Sequence, residues 1–434
     1  MKKTKIVATI GPASMSKLRL KKMVEAGMNV CRLNFSHSDH AWHRKAIQNI
    51  RAVEKTTRQR IGILADLQGP RIRIANKKSL QLKKGERIFL TDFAGRNKNV
   101  KKRKLIFDWD GFYQYAKSGG NIFIEDGLIQ LRIISVSTSG CVGEVIVGGE
   151  AKPHKAVNIP SISPQMKTLT EKDLRDLEFM VQQQVDMIAV SFVGNASDLK
   201  KVRKMIDYFI ENKKIVWHRK GQYTGFSKGG IHRLSGSYYP WVIPKIERRL
   251  AVKNLADIIK QSDGVMIARG DLAVEMPQEK VAILEKNILK KVRRAHKPVI
   301  VATQMLASME QNNRPTRAEI SDVTNAVIDH ADAVMLSGES AMGRYPIITI
   351  ETMAKIIKAT ERSRYDDMRL KKNKWSRIIF GEEDVTRKTK TAQDLKSLLG
   401  YSSLRQEKLT LKMSKRKIEE WGKASLVWGS KVNL

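Results

Sequence analysis

Short, almost purely apolar runs recur along this chain, separated by amphipathic stretches. The runs are Lys5–Thr9, Asn29–Leu33, Ile61–Ala65, Asp186–Ser191, Val242–Ile246, Val265–Ala268, Pro298–Ala302 and Ala333–Leu336. Runs of this length without polar alternation suit strands buried on both faces, as in a parallel sheet. Helical spacing predicts helices over 17–27, ending at Gly27, over 41–58, from Thr170 to about Gln184, and from about Ala196. Further helices are expected over 250–260, 277–295, 316–329 and 346–359. Thr170-Glu171-Lys172-Asp173 has the form of a capping box. Eight strand–helix units is the number that closes a parallel barrel, so the fold class is α/β, a (β/α)8 TIM barrel.

The period changes from about Ile72. SLQLKKGERIFL, NIFIEDGLIQLRIISVS and GCVGEVIVGG repeat with a period of two and are broken by turn residues. They predict a small antiparallel β-barrel domain inserted into the larger barrel. The expected division is 1–71 for the first part of the barrel, 72–156 for the inserted lid and 157–360 for the rest. An atypical insertion covers 207–241, and 361–434 is a basic tail.

Polar residues follow the strands with regularity: Thr9, Arg32, Asn34, Asp66, Ser191, Lys245, Glu247, Asp271, Thr303 and Ser337. In such barrels the active site lies at the C-terminal strand ends. Lys245 and Glu247 are two apart, so they share one side of a strand, roughly 7 Å apart. Asp271 follows the next strand, about 5 Å across the sheet. Glu247 and Asp271 can then share one hard cation beside an ammonium, which suits a phosphoryl group or an enolate. An internal ion pair would use the same residues; the repetition from strand to strand favours a site.

Composition narrows the class. The chain has 434 residues, two of them cysteines, Cys31 and Cys141, which excludes a disulfide framework or a cysteine-based zinc site. A reducing cytoplasm is expected. No apolar run approaches the roughly 20 residues of a membrane helix. The formal net charge is +37. Such a charge suits a nucleic-acid or other polyanion partner, but it is scattered rather than gathered into one arm, so a site for small anions is the preferred reading.

Ten motifs carry a resemblance: TKIVATIGPAS, NVCRLNFSH, ADLQGPRIR, AVNIPS, IAVSFV, PKIE, VMIARGDLAVE, PVIVATQML, RPTRAEISDV and DAVMLSGESAMGRYP. In this order they resemble the pyruvate kinase family, over residues 1 to about 360. The resemblance implies a phosphotransferase that moves phosphate from phosphoenolpyruvate to ADP in glycolysis, giving pyruvate and ATP. It implies that Glu247 and Asp271 hold Mg²⁺ or Mn²⁺, that Lys245 and Arg32 neutralise the phosphoryl group, and that Thr303 serves protonation of the enolpyruvate carbon. Ser337 and Glu339 would be outer members of that relay. The backbone at Arg269, Gly270 and Asp271 would receive the substrate carboxylate. Thr9, Pro12, Asn34, His37, Arg73 and Lys155 match positions on the nucleotide side. Taken alone, His37 would be read as a turn cap and Thr303 as core; the motifs reverse both readings. Asn34, Ser36 and Asp66 match ligands of the K⁺ that many members need. Leu67 and Arg71 depart from the K⁺-dependent pattern and resemble the bacterial branch that works without it, a guanidinium replacing the ion.

Four departures stand out. The stretch 207–241 is longer than the family's and is basic and aromatic; an RNA-binding loop and a tolerated surface insertion are the two readings, with the second preferred. Residues 362–434 do not resemble the family's C-terminal regulatory domain, so a tetramer is not expected, and a smaller homo-oligomer stays open. His330 replaces a usual Gly, at a cost of about 1 kcal/mol if φ is positive. Pro244, inside a central strand, lacks an N–H for the ladder. The alternative to an active kinase is a degenerate, catalytically weak barrel acting as a basic interaction protein.

Overall fold

The computed structural model describes residues 2–93, 103–125, 127–160, 168–212, 239–363 and 365. Its centre is a closed parallel barrel. The strands are β1 (Lys5–Thr9), β2 (Val30–Asn34), β3 (Gly62–Asp66) and β4 (Met187–Val190), then β5 (Trp241–Ile246), β6 (Val265–Ala268), β7 (Val299–Ala302) and β8 (Ala333–Leu336). Each pairs with its neighbours in sequence, and β1 closes the ring by pairing with β8, Lys5 opposite Ala333.

Strand alternation sorts the residues. Val7, Val30, Leu64, Ala189, Ile243, Met266, Ala302 and Met335 belong to one buried cluster inside the ring. Ile6, Cys31, Ile63, Ile188, Val242, Ile267, Val301 and Val334 point outward into a second, larger core shared with the helices. The period of two then decides what reaches the mouth. Two residues beyond the inner cluster come Thr9, Arg32, Asp66, Ser191, Lys245 and Ser337. The barrel filling and the polar mouth are one pattern read along each strand.

The opposite rim is held by a repeated device. Asn29 and Asp186, each just before a strand, accept the N–H of Ile6 at 3.0 Å and of Ile63 at 2.8 Å. Asp263 and Asp332 do the same for Val242 at 2.8 Å and Val299 at 3.0 Å. Each satisfies a strand-end donor that has no ladder partner. Arg203, on the helix Ala196–Asn212, pairs with Asp263 at 2.7 Å.

The lid interrupts the barrel after β3. A seven-stranded sheet runs in the order Ile72–Arg73, Ala156–Asn158, Asn121–Ile124, Ile129–Ser137, Gly140–Val147, Arg87–Thr91, Lys104–Ile106. It surrounds its own core, with Leu90, Phe107, Phe112 and Leu131 fully buried. Contrary to the expected all-antiparallel arrangement, the last pair is parallel, Phe89 opposite Lys104. The sheet curls until its edges meet: Ile74 bridges Phe107, and Ala75 N–H donates to Ile106 O.

Other boundaries differ locally. The expected helix over 250–260 is two, Arg249–Lys253 and Leu255–Gln261, broken at Asn254, whose amide side chain turns to Gly194 O at 2.9 Å. The helix at Ala196 continues to Asn212 and β5 starts at Trp241, which takes both ends of the expected 207–241 insertion into the barrel; 213–238 and the tail from 366 lie outside the described residues. Pro244 is the last β5 residue in register with β4, opposite Val190, and pairing with β6 begins at Lys245. Its missing N–H falls where one ladder ends and the other starts. His330 has φ 67°, the left-handed conformation the sequence comparison with Gly implied. Among the described residues no helix is long and apolar enough to cross a membrane.

Candidate active site

The strand ends enclose a cavity of about 260 Å³ whose walls include Arg32, Lys245, Asp271, Thr303, Glu310 and Ser337. Lys245 lies at its centre of charge. Its Nζ is 2.7 Å from Glu247 Oε1, 3.4 Å from Asp66 Oδ1 and donates to Ser191 Oγ at 3.0 Å. Ser191 in turn donates to Leu67 O at 2.6 Å, so its oxygen is aimed at the lysine. Burial works against the ammonium, but Asp66, Glu247 and Asp271 more than offset it and hold Lys245 above its usual pKa. It stays a charged donor.

Asp66 is the anchor for two cations. Beside Lys245 it takes Arg32 through Nε at 2.8 Å and Nη2 at 2.7 Å, while Arg32 Nη1 donates to Thr9 Oγ1 at 3.0 Å. Burial alone would raise the Asp66 carboxyl; Lys245 and Arg32 bring it below the usual range. Glu247 is fully buried, and its pKa is raised by that burial and by Asp271, against Lys245 and Arg71. One oxygen, Oε2, accepts the Phe192 N–H at 2.6 Å. The other accepts no well-aligned hydrogen bond.

Asp271 opens onto the cavity from the short helix Arg269–Glu275 and pairs with Arg71, Oδ1 to Nη2, at 3.5 Å. Arg71 lies against the Phe192 ring, 5.6 Å from its centroid. Glu247 and Asp271 thus present hard oxygen donors that feel one another's charge. Glu247 Oε1 is held by Lys245 at 2.7 Å, and the chemistry of these two carboxylates suits a divalent cation of the magnesium or manganese kind.

Thr303 and Gln304 follow β7 with φ 73° and 53°. A β-branched residue in this region costs about 1–2 kcal/mol, and such strain collects at functional sites. The turn lets Thr303 Oγ1 accept the Gly270 N–H at 2.8 Å and donate to Ala302 O at 2.6 Å. The Arg269 side chain leaves the cavity for Asp322 at 2.6 Å and Glu285 at 3.4 Å, so only its backbone is available to a ligand there. Glu339, buried, accepts Ser337 N–H at 2.7 Å and Leu306 N–H at 3.2 Å and shapes the loop after β8.

The residues expected on the nucleotide side spread from the barrel rim to the lid base. Thr9 is tied to Arg32, and Asn34 Oδ1 accepts the Ser36 N–H at 3.1 Å. Pro12 is exposed on the loop after β1. Arg73 donates to His154 O at 2.9 Å, and Lys155 pairs with Glu125. His37 is held below its usual pKa by burial and by Arg73, Arg71 and Arg32, which places it among the same cations. Of the expected K⁺ ligands, Asp66 is engaged by Arg32 and Lys245; Arg71, expected to stand in for the ion, pairs with Asp271.

Two participants, Phe192 and Glu310, gave no sequence signal, and a third gave a faint one. Ser191 was visible only as one polar strand end among ten, yet it carries Lys245. Phe192 contributes its backbone N–H, which no side-chain pattern reports. Glu310 enters the cavity from a 3-10 turn, Ala307–Glu310, where neither period applies.

Comparison with known proteins identifies the family. The family model described as pyruvate kinase, barrel domain, matches residues 1–221 and 237–350. Pyruvate kinase of Clostridium perfringens is 41% identical over 366 residues, which is 83% of this chain and 71% of that protein. The Sporosarcina psychrophila pyruvate kinase is 43% identical over 369 residues, 83% of this chain and 57% of that one. The one from Thermococcus litoralis is 41% identical over 364 residues, covering 83% and 70%.

Proposed function

The chain belongs to the pyruvate kinase family, and on that premise we propose that it transfers the phosphoryl group of phosphoenolpyruvate to ADP, giving pyruvate and ATP. The observation that supports this most is Lys245, a buried ammonium held between Asp66 and Glu247 at the mouth of a cavity that Asp271 and Thr303 also line.

The residues divide the work by charge. Lys245 and Arg32 face the transferring phosphoryl group and offset its negative oxygens, one as a point charge and one as a fixed fork. Asp66 prevents these two cations from repelling one another out of position. Glu247 and Asp271 are the residues that would hold magnesium or manganese, and such an ion would supply further positive charge at the reacting end of the cavity. The Thr303 hydroxyl accepts the Gly270 N–H and so fixes the start of the helix whose backbone would receive the substrate carboxylate. Ser337 and Glu339 shape the opposite wall, Glu339 by accepting the Ser337 and Leu306 N–H groups, as outer members of the site. Thr9, Pro12, Asn34, His37 and Arg73 form the nucleotide side, and Lys155 reaches the phosphates from the lid base when the lid closes.

Potassium is not required in this reading. Arg71 places a guanidinium beside Asp271, charge of the kind K⁺ would bring. A cytoplasmic location suits the two free, buried thiols, Cys31 and Cys141.

A coupled lactate dehydrogenase assay with phosphoenolpyruvate, ADP and Mg²⁺ tests the activity. Turnover that persists in tetramethylammonium salts and vanishes in Lys245→Ala is the expected result. No turnover at any divalent ion concentration overturns the reading, and a large K⁺ requirement overturns its potassium clause.

A further inference from the structure

The proton that completes the reaction needs a source, and the cavity's protonatable groups can be taken in turn. Lys245 is bound to carboxylates that strengthen its hold on its proton. The Thr303 hydroxyl already donates to Ala302 O at 2.6 Å and accepts from Gly270. Glu339 is buried with both oxygens on backbone amides. Asp271 faces Arg71 and the metal position.

Glu310 is different. Its carboxyl lines the cavity but makes no hydrogen bond or ion pair among the described residues. It is set by its backbone, whose carbonyl accepts the Arg344 N–H at 2.9 Å. It lies over Gly338, so close that a methyl group there would stand 1.8 Å from Glu310 Oε1. Gly338 therefore makes room for this carboxyl at the end of β8, between Ser337 and Glu339. Burial and the nearby Glu339 charge both favour its protonated form. An incoming phosphate and carboxylate push in the same direction.

We infer that Glu310 is the general acid that protonates the enolate carbon left by phosphoryl transfer, directly or through one water in the cavity. This rests on the kinase reading given above. In the step, the Glu310 O–H bond breaks and its electron pair stays on the carboxylate. A C–H bond forms at the methylene carbon as the enolate oxygen becomes the ketone of pyruvate. Glu310 regains its proton from solvent at the cavity mouth.

The test separates the two half-reactions. Glu310→Gln keeps size and removes the acid, and Glu310→Asp keeps the acid on a shorter arm. ATP formation and exchange of the pyruvate methyl hydrogens into D₂O, with ATP and Mg²⁺ present, are measured on each. General acid–base groups contribute about 10²–10⁴-fold. The expected result is ATP formation retained in Glu310→Gln, with methyl exchange lowered about 100-fold and partly restored in Glu310→Asp. With (Z)-[3-²H]phosphoenolpyruvate in tritiated water, the unmodified protein gives a chiral methyl group and Glu310→Gln a racemic one, because enolpyruvate is released and ketonises in solution. Exchange within about two-fold of the unmodified protein, with a chiral product, overturns the inference while leaving the kinase reading intact. Absence of ATP formation in the unmodified protein overturns both.

Discussion

Lys245 Nζ lies 2.7 Å from Glu247 Oε1, the two residues standing one alternation apart at the end of a single strand. The pair is buried, and Asp66 completes it from β3 at 3.4 Å. Removing the lysine leaves two buried carboxylates without their shared cation, a change that commonly costs 3–5 kcal/mol. Lys245→Met should therefore lower both turnover and the melting temperature. Loss of a charge aimed at the reacting group is expected to reduce kcat by about 10²–10³ or more. Calorimetry and the coupled assay on the same preparation check both effects. An unchanged melting temperature would show that the three groups are not coupled as described.

Glu247→Gln should separate charge from fold. The amide oxygen can keep the Phe192 N–H, and the folded state already disfavours the ionised carboxyl through burial. Stability should fall by less than in Lys245→Met, because Lys245 keeps Asp66 as a partner. The Mg²⁺ concentration for half-maximal rate should rise at least about 10-fold, and Mn²⁺ should restore more activity than Mg²⁺. A Mg²⁺ dependence identical to that of the unmodified protein would remove Glu247 from the metal site.

Asp263→Ala tests the opposite rim. It strips a cap from Val242 and leaves the largely buried Arg203 without its carboxylate. A loss of about 3–5 kcal/mol is expected from urea unfolding. KM for phosphoenolpyruvate, measured well below the melting temperature, should stay within about two-fold, since this rim lies at the end of the barrel opposite the site.

His43 gives the fold a pH dependence. It stacks on Phe35 at 3.9 Å, faces His37 O, and burial lowers its pKa from 6.5 to about 4. The unfolded chain therefore binds a proton that the folded one refuses. Its contribution is complete above about pH 6.5 and declines as the pH falls toward 4, with a slope of at most about 1.4 kcal/mol per unit. Unfolding free energies at pH 7, 5.5 and 4.5 should show this slope, and His43→Gln should flatten it.

The strands were legible because burial on both faces leaves an apolar run with no alternation, and β1, β6 and β8 match their runs residue for residue. The site was legible for the same reason: Thr9, Arg32, Asp66 and Lys245 are simply the next inward positions after Val7, Val30, Leu64 and Ile243. What stayed hidden obeys neither period. Thr303 and Gln304 turn through positive φ, Phe192 acts through its backbone, and Glu310 arrives on a 3-10 turn. The break at Asn254 was hidden because a side-chain bond to a distant carbonyl, not local propensity, divides the helix.

The two chain segments that join lid to barrel are zipped to each other, Ile72 opposite Val157 and Arg73 opposite Ala156. A small gap of about 40 Å³ lies beneath this ribbon, walled by Arg71, Phe123, Phe192 and Asp271 among others. A cover attached by a two-ply strap has one axle, not two independent tethers. Its rotation must pass through the residue where the strap leaves the barrel. On the Ile72 side that residue is Arg71, whose side chain rests on Asp271, so a rotation of the cover would be felt at the carboxylate below it.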